Sequence, residues 1–348
     1  MTDTPDKKVR PCSVCGRTFI PSHPYQVTLY QGQERCYCSQ PCLLKDVVHN
    51  PRRQCSVCGA EFDVGYGNQV VLSNGQLRLY CGPKCRQNDS PGAAPVVHKT
   101  TRRLAVLNQK GGTGKTSTAV NLSAAFATRG STVLLVDMDP QGNVGVSLGV
   151  RGDMAAYKLL MTDEPLDRLT VPIRADLDII TADESLAAAD MELVSQENRE
   201  HKLSHRLKGQ DSEYDLVVLD CAPTLSLLNR NALLYADEVV IPVSCDYLAL
   251  IGVKQVLKTI ADVERDFNHA LTIAGVVPTF FDQRNRISHE VMRNLSNRFG
   301  DKVTPPVRIN TRIKEAPIYK KTIFEYDASS YGAQDYLALA DFLSPGRK

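Results

Sequence analysis

The chain contains no tryptophan, and aromatic residues make up only 6% of its 348 residues. Apolar runs are short, and none approaches the roughly 18 residues needed to cross a bilayer as a helix. The opening stretch MTDTPDKKVRPC has no apolar core of the kind a secretory signal carries. These absences predict a cytoplasmic protein with no membrane partner. Excess charge is lacking too, at a formal net +2, although the charge is uneven. Residues 1–90 hold 11 Lys and Arg against 7 Asp and Glu, whereas residues 104–348 hold 27 against 32. A mildly basic front and a mildly acidic remainder identify no partner by themselves. With 43% hydrophobic and 23% charged residues, the chain has a globular composition and length enough for more than one domain.

Beyond residue 85 cysteine is scarce: only Cys221 and Cys245 remain, and both read as packed core residues. The other nine of the 11 lie between Cys12 and Cys85. Cytosolic thiols stay reduced, so such crowding points to metal rather than to disulfides. The spacing repeats at an offset of 43 residues. Cys12, Cys15, Cys38 and Cys42 form one set, and Cys55, Cys58, Cys81 and Cys85 form the other. Each set reads C-x2-C, 22 residues, C-x3-C. A C-x2-C pair followed by glycine makes a knuckle that aims two sulfurs at one ion. A C-x3-C pair suits the first turn of a helix, whose free amides favour thiolates. Four thiolates close a tetrahedral Zn2+ site, so two zinc ions per chain are expected. Units this small cannot bury an adequate core, and metal would supply much of their folding energy. Cys36 has Leu79 as its counterpart and reads as a spare buried thiol. The units resemble treble-clef zinc ribbons.

Polar residues 87–95 carry Pro and Gly without apolar periodicity and read as linker. The expected division is 1–47 and 48–90 for the two zinc modules, 91–102 for the linker and 103–348 for the large domain. In that domain apolar strand cores at 104–107, 132–136, 177–180, 216–219, 239–243 and 273–277 alternate with amphipathic segments. Helices are expected at 116–127, 186–207, 226–235, 253–267, 288–299 and 334–343. Such alternation predicts an α/β fold, a mostly parallel sheet with helices on both faces and ligand at the C-terminal strand ends.

The first strand runs into Lys110, Gly111, Gly112, Thr113, Gly114, Lys115, Thr116 and Ser117, then into a helix. Strand, glycine-rich loop and helix together form the setting of a P-loop NTPase, whose backbone amides and helix dipole cradle phosphates. Lys115 is placed to reach the β- and γ-phosphates of ATP, and the Thr116 hydroxyl to ligate Mg2+. Asp220 ends an apolar strand, the place for a carboxylate that acts through metal-bound water.

Lys110 to Thr116 match the deviant Walker A motif of the ParA/MinD group, which carries a second lysine at the loop's start. The run from Thr132 through Asp137, Asp139, Pro140, Gln141 and Gly142 to Asn143 is similar to ParA in particular. Further matches are at 187–193, 214–220, 281–285, 310–317 and 331–333. The resemblance runs in order from about residue 103 to 343. It implies that Asp139 positions the attacking water, that Asp137 sits near the metal shell, and that Lys110 contacts phosphate across an ATP-dependent homodimer. It also lays the 307–317 loop over the base, with Asn310 the residue chosen there, because Arg308 and Ile309 depart from the usual Pro and Arg.

ParA resemblance implies nonspecific DNA as a partner, contacted here by Lys254, Lys258, Arg284 and Arg286, with Arg293 further on. It also implies a ParB-like or other activating protein, and residence at the nucleoid. A MinD-like membrane ATPase is the alternative, but the C-terminal segment 335–348, with its acidic residues and a helix-breaking Pro345 and Gly346 near its end, opposes an interfacial helix. A third reading makes the zinc modules an adaptor on a nucleotide-gated scaffold, with Tyr25, Tyr30 and Tyr66 as contact candidates.

Overall fold

A computed structural model describes residues 9–344 apart from 22–25, 31–32, 50–51, 65–68, 74–75, 82–84, 87–100, 225 and 247–248. Tyr25, Tyr66 and most of the expected linker lie outside the described residues, as does the side chain of Tyr30. The chain divides into two compact units, Met1–Lys99 and Thr100–Lys348.

The first unit is built from the repeat. In the first module β1 (Arg10–Pro11) pairs antiparallel with β2 (Thr18–Phe19), and β3 (Val27–Tyr30) pairs with β4 (Gln33–Cys36). Helix α1 (Gln40–His49) follows. Knuckle, hairpin and helix come in treble-clef order. The second module repeats the two hairpins as β5 (Arg52–Gln54) with β6 (Glu61–Asp63), and β7 (Val70–Ser73) with β8 (Gln76–Leu79). Individual bonds recur 43 residues apart. Gln26 Nε2 donates to the Cys38 carbonyl at 3.3 Å, and Gln69 Nε2 to that of Cys81 at 3.3 Å. The Ser13 hydroxyl accepts from the Cys36 amide at 3.0 Å, and that of Ser56 from the Leu79 amide at 2.8 Å.

The second unit centres on a seven-stranded sheet. Its strands are β9 (Arg102–Val106), β10 (Val133–Met138), β11 (Val171–Arg174), β12 (Leu177–Ile180), β13 (Leu216–Cys221), β14 (Glu238–Ser244) and β15 (Thr272–Thr279). They lie in the order β11-β12-β10-β13-β9-β14-β15, with only β11 antiparallel. Every residue of β10 and β13 is buried, as expected where helices cover both faces. Alternation sends Leu134, Val136 and Met138 to one apolar layer, and Val133 and Leu135 to the other.

The helices are α2 (Lys115–Thr128), α3 (Asn143–Leu148), α4 (Ala155–Met161), α5 (Leu166–Leu169), α6 (Ser185–Leu193), α7 (Lys202–Leu207), α8 (Leu227–Tyr235), α9 (Ala249–Phe267), α10 (Arg286–Phe299), α11 (Thr311–Glu315), α12 (Ile323–Asp327) and α13 (Tyr331–Leu343). The helix expected over 186–207 is two helices, because Asn198 turns the chain at φ 52°. Edge strand β11 and the short helices α3, α4, α5, α11 and α12 carry too few residues for periodicity to reveal them. Strand β9 begins at Arg102, inside the stretch given to the linker. Arg102 pairs with Glu238, and Arg103 with Asp211 at 2.8 Å, so both anchor the strand's start.

Candidate functional site

The glycine-rich loop leaves the C-terminal end of β9, in the middle of the sheet, between β13 and β14. Gly112 and Gly114 take φ 72° and 83°, values that side-chain-bearing residues adopt only with strain. Buried Asn108 fixes the loop's entry: its Oδ1 accepts from the Lys110 amide at 2.9 Å and its Nδ2 donates to the Pro242 carbonyl at 2.7 Å. The Thr279 hydroxyl donates to the Thr113 carbonyl at 2.8 Å and ties the loop to β15. Thr116 and Ser117 follow Lys115 in the first turn of α2, whose free amides face the loop. Lys115 is 8% exposed, and its Nζ donates back to the Lys110 carbonyl at 3.4 Å. Burial lowers its pKa, against the opposing fields of Asp220 and Asp139.

Three carboxylates close the neighbouring strands. Asp137 and Asp220 stand side by side in the β10–β13 register. Asp220 is 1% exposed; the Thr116 hydroxyl lies near enough to favour its charged form, but neither oxygen has a hydrogen bond of ordinary geometry among the described residues. Burial pushes its pKa up to about 7; the nearby Thr116 hydroxyl opposes this, the charge of Asp139 adds to it and Lys115 opposes it. Asp137 is also fully buried, but both of its oxygens are engaged. One accepts the Asp139 amide at 3.1 Å and the other the Val144 amide at 3.2 Å, so Asp137 braces the turn that carries Asp139. Burial and then Asp220 raise its pKa well above the usual range. Asp139 accepts the Gln141 amide at 3.0 Å. These groups converge with the loop. Lys110, by contrast, points to Asp246 just past β14, its Nζ 2.6 Å from each carboxylate oxygen.

Beside the loop lies a cavity of about 330 Å³, lined by Phe280, Val307, Asn310, Ile313, Pro317 and Tyr336 among others. Asn310 caps α11, its Oδ1 accepting from the Arg312 amide at 2.8 Å. Arg308 is committed to Asp335, at 2.6 Å and 3.0 Å, and lies over the Tyr331 ring. Sequence reasoning missed Phe280, which sits at φ 53° with its ring against Gly114. A bulky residue in that conformation is strained, and nothing in the sequence signals it. Asn108 and Asp246 were also missed. Each sits just past the end of a strand beside the loop, a position that could have flagged it.

The cysteine sets converge as two clusters, each with its four sulfurs within 4.8 Å of one another. Cys15 and Cys38 sulfurs are 3.5 Å apart, Cys38 and Cys42 3.7 Å, Cys58 and Cys81 3.6 Å, and Cys81 and Cys85 3.7 Å. A tetrahedron with Zn–S bonds of about 2.3 Å has edges of about 3.8 Å, so the donor sets fit. Burial works to raise the Cys12 thiol, yet amides of Cys38, Cys15 and Val14 outweigh it and bring the pKa down to about 6. The same balance brings Cys55 to about 7. The thiolate-favouring amides thus act most on the knuckle, not on the C-x3-C pair where the sequence placed them. Cys38 is pushed up to about 12 by its Cys15 neighbour and by burial. Cys36 is buried, as are Cys221 and Cys245.

Lys254 and Lys258 are exposed on α9, and Arg286 is exposed at the start of α10, with Arg293 a further two turns along. Arg284 is exposed as well, but its guanidinium is paired with Asp282 at 3.1 Å.

A phosphate-cradling loop on a central parallel strand, flanked by buried strand-end carboxylates, defines the class: a P-loop ATPase. Residues 101–273 match the family model described as AAA domain. Residues 215–347 match that of the 4Fe-4S iron sulfur cluster binding proteins, NifH/frxC family. The chromosome partitioning protein ParA of Myxococcus xanthus is 42% identical over 243 residues, 68% of this chain and 86% of that protein. The sporulation initiation inhibitor protein Soj of Bacillus subtilis is 42% identical over 242 residues, 68% of this chain and 96% of its own. Among solved structures, cobyrinic acid a,c-diamide synthase from Mycobacterium smegmatis with bound ADP and magnesium is 33% identical. Its TM-score is 0.60, over 70% of this chain and 93% of that one. Apo McdA of Cyanothece has TM-score 0.65 at 20% identity, over 70% of this chain and 100% of its own, a likeness of fold. The chain belongs to the ParA family.

Proposed function

We propose that this protein is a Mg2+-dependent partitioning or positioning ATPase that pairs into a homodimer on ATP and holds DNA without sequence preference in that state. The observation that carries the reading is Asp220, a buried carboxylate beside the glycine-rich loop and the Thr116 hydroxyl, with no hydrogen bond of ordinary geometry to either oxygen among the described residues. Burying such a group unpaired costs several kcal/mol, which a cation in the same pocket offsets. Amides of Gly111, Gly112, Thr113, Gly114 and Ser117, with Lys115, hold the phosphates of ATP. The Thr116 hydroxyl and Asp220 hold Mg2+, which would neutralise charge on the β- and γ-phosphates. Asp139 orients the attacking water, and Asp137 serves by bracing Asp139. The 330 Å³ cavity receives the base, with Asn310 on its wall. Lys110 exchanges Asp246 for the partner protomer's phosphates.

Lys254, Lys258, Arg284 and Arg286 supply phosphate contacts to DNA, which are salt-sensitive and sequence-tolerant. The two cysteine sets hold one structural zinc ion each and form an adaptor for a protein partner. A ParB-like activator and a cytoplasmic, nucleoid-bound location complete the reading. The membrane alternative is opposed by α13, whose Ala333, Tyr336, Leu339, Ala340 and Leu343 are buried in the core. No helix among the described residues is long and apolar enough to cross a membrane. Measuring ATP turnover with and without random-sequence duplex DNA tests the reading. Stimulation of several-fold is expected, and turnover indifferent to DNA overturns the DNA-coupled function.

A further inference from the structure

Lys320 joins the base cavity to the segment that carries Asp139. It follows a single turn of 3-10 helix at Ala316–Tyr319 and stands at φ 58°, a left-handed conformation that glycine takes freely and lysine does not. Its amide closes that turn, donating to the Pro317 carbonyl at 3.1 Å, and Pro317 lines the cavity beside the phosphate loop. From there the side chain crosses to α3. Its stem lies against the bare backbone of Gly149, where a Cβ would stand 2.9 Å from the lysine's own Cβ and Cγ. Its Nζ donates to the Val146 carbonyl at 2.9 Å. The Gly149 and Val150 amides both turn to the Gly145 carbonyl, so the lysine fills the place of the helical donor that Val146 lacks.

The other end of α3 is tied to the strand-end carboxylates. Asp139 accepts the Gln141 amide at 3.0 Å through its side chain and the Gly142 amide at 2.9 Å through its carbonyl. Asp137 accepts the Val144 amide at 3.2 Å. With six residues, α3 is a strut about 9 Å long, hydrogen-bonded to Asp137 near its start and to Lys320 near its end. Val144 and Leu148 seat one face of it in the core. Gln141, Gly145 and Val146 border an open groove of about 720 Å³, and Lys320 is one of that groove's walls.

We infer that Lys320 is a positioning residue for ATP hydrolysis. It clasps the turn that walls the base cavity to α3, and through α3 it keeps Asp139 in place to orient the attacking water. A base seated against Pro317 steadies the Ala316–Tyr319 turn, and the clasp passes that constraint to the segment carrying Asp139. A left-handed lysine that bonds across to a second element is the kind of strained position that its surroundings must hold. The inference rests on the proposed role of Asp139 and adds a residue outside the phosphate loop and the strand-end carboxylates.

The test compares Lys320→Gly and Lys320→Met with the unaltered full chain in Mg2+ and ATP. Glycine accepts the left-handed backbone without strain, so Lys320→Gly should melt at an equal or higher temperature. Methionine keeps a stem over Gly149 and loses only the ammonium. Both variants should lower kcat about fivefold, the scale of one solvent-exposed hydrogen bond, with the Kd for ATP changed less than about twofold. Hydrogen exchange read by mass spectrometry, with a slowly hydrolysed ATP analogue bound, should show residues 141–150 less protected in both variants and residues 110–117 equally protected. Unaltered kcat in either variant overturns the inference, as does unaltered exchange at 141–150. Turnover lost in step with ATP affinity or melting temperature also overturns it, since Lys320 would then be merely structural. If Asp139→Ala hydrolyses ATP at the unaltered rate, the role of Asp139 fails instead, whatever the Lys320 variants do.

Discussion

Lys110 and Asp246 form an ion pair within one chain, the ammonium nitrogen 2.6 Å from both carboxylate oxygens and 3.4 Å from the Ser244 hydroxyl. The lysine that the ParA resemblance sends across a dimer interface is thus held by its own protomer. Both side chains are partly exposed, at 26% and 49%, so the pair contributes about 1 kcal/mol at most. Lys110 can leave it for phosphate at little cost.

Removing the cis partner should therefore favour dimerisation. Asp246→Asn should lower the protein concentration needed for the dimer by up to about thirtyfold, the equivalent of about 2 kcal/mol for the two pairs broken per dimer. Lys110→Ala should retain nucleotide yet stay monomeric. Light scattering with a slowly hydrolysed ATP analogue reads both, and a Lys110→Ala dimer of undiminished stability contradicts the trans contact.

Asp220 sets a pH dependence. Its folded pKa of about 7 lies above the ordinary 3.8, so the folded state binds a proton that the unfolded state has released. Stability from this site is present at low pH and is lost as pH rises from about 4 to 7, on the order of 4 kcal/mol in total. Asp220→Asn should accordingly raise the melting temperature of the nucleotide-free protein at pH 8 while abolishing turnover. Stabilisation of the unaltered protein by Mg2+-nucleotide should grow between pH 6 and 8. A melting temperature that Asp220→Asn leaves unchanged at pH 8 contradicts the assignment.

The strand cores, the glycine-rich loop and both cysteine sets were legible in the sequence because each is a local pattern. Burial on both faces writes apolar runs, φ > 0 selects glycine, and metal geometry selects spacing. Long-range partnerships left no such trace. Asp246 meets Lys110 and Thr279 meets Thr113 only once β14 and β15 are in place. Asp137, which the ParA resemblance sets near the metal shell, also accepts the Asp139 and Val144 amides, partners that only the folded turn supplies. The two modules read as separate beads, and the joint that unites them, from Arg53 Nη2 to the buried Asp46 at 3.2 Å, spans a repeat boundary.

That joint predicts coupled modules. Breaking a buried ion pair by removing one partner costs about 3–5 kcal/mol. Asp46→Ala should thus hasten zinc release to a chelator from both sites, not from the first alone, as followed by a colorimetric zinc indicator. Loss confined to one ion per chain contradicts the coupling.

DNA affinity should respond to charge rather than to sequence. Arg284→Glu with Lys258→Glu should weaken ATP-dependent binding equally for unrelated duplexes and reduce the salt slope by about 2, one for each DNA phosphate left without its cation. Fluorescence anisotropy over a salt series measures this, and an unaltered slope places the DNA surface elsewhere.

Asp139→Ala provides the most direct measurement, with nucleotide occupancy, turnover and mass determined together on one preparation in Mg2+ and ATP. Loss of water positioning alone should leave ATP bound, reduce turnover at least about a hundredfold and accumulate a stable dimer, whereas Lys115→Ala should bind no ATP. An Asp139→Ala protein that hydrolyses ATP at the unaltered rate, or that holds ATP only as a monomer, would contradict a ParA-type ATP-gated dimer.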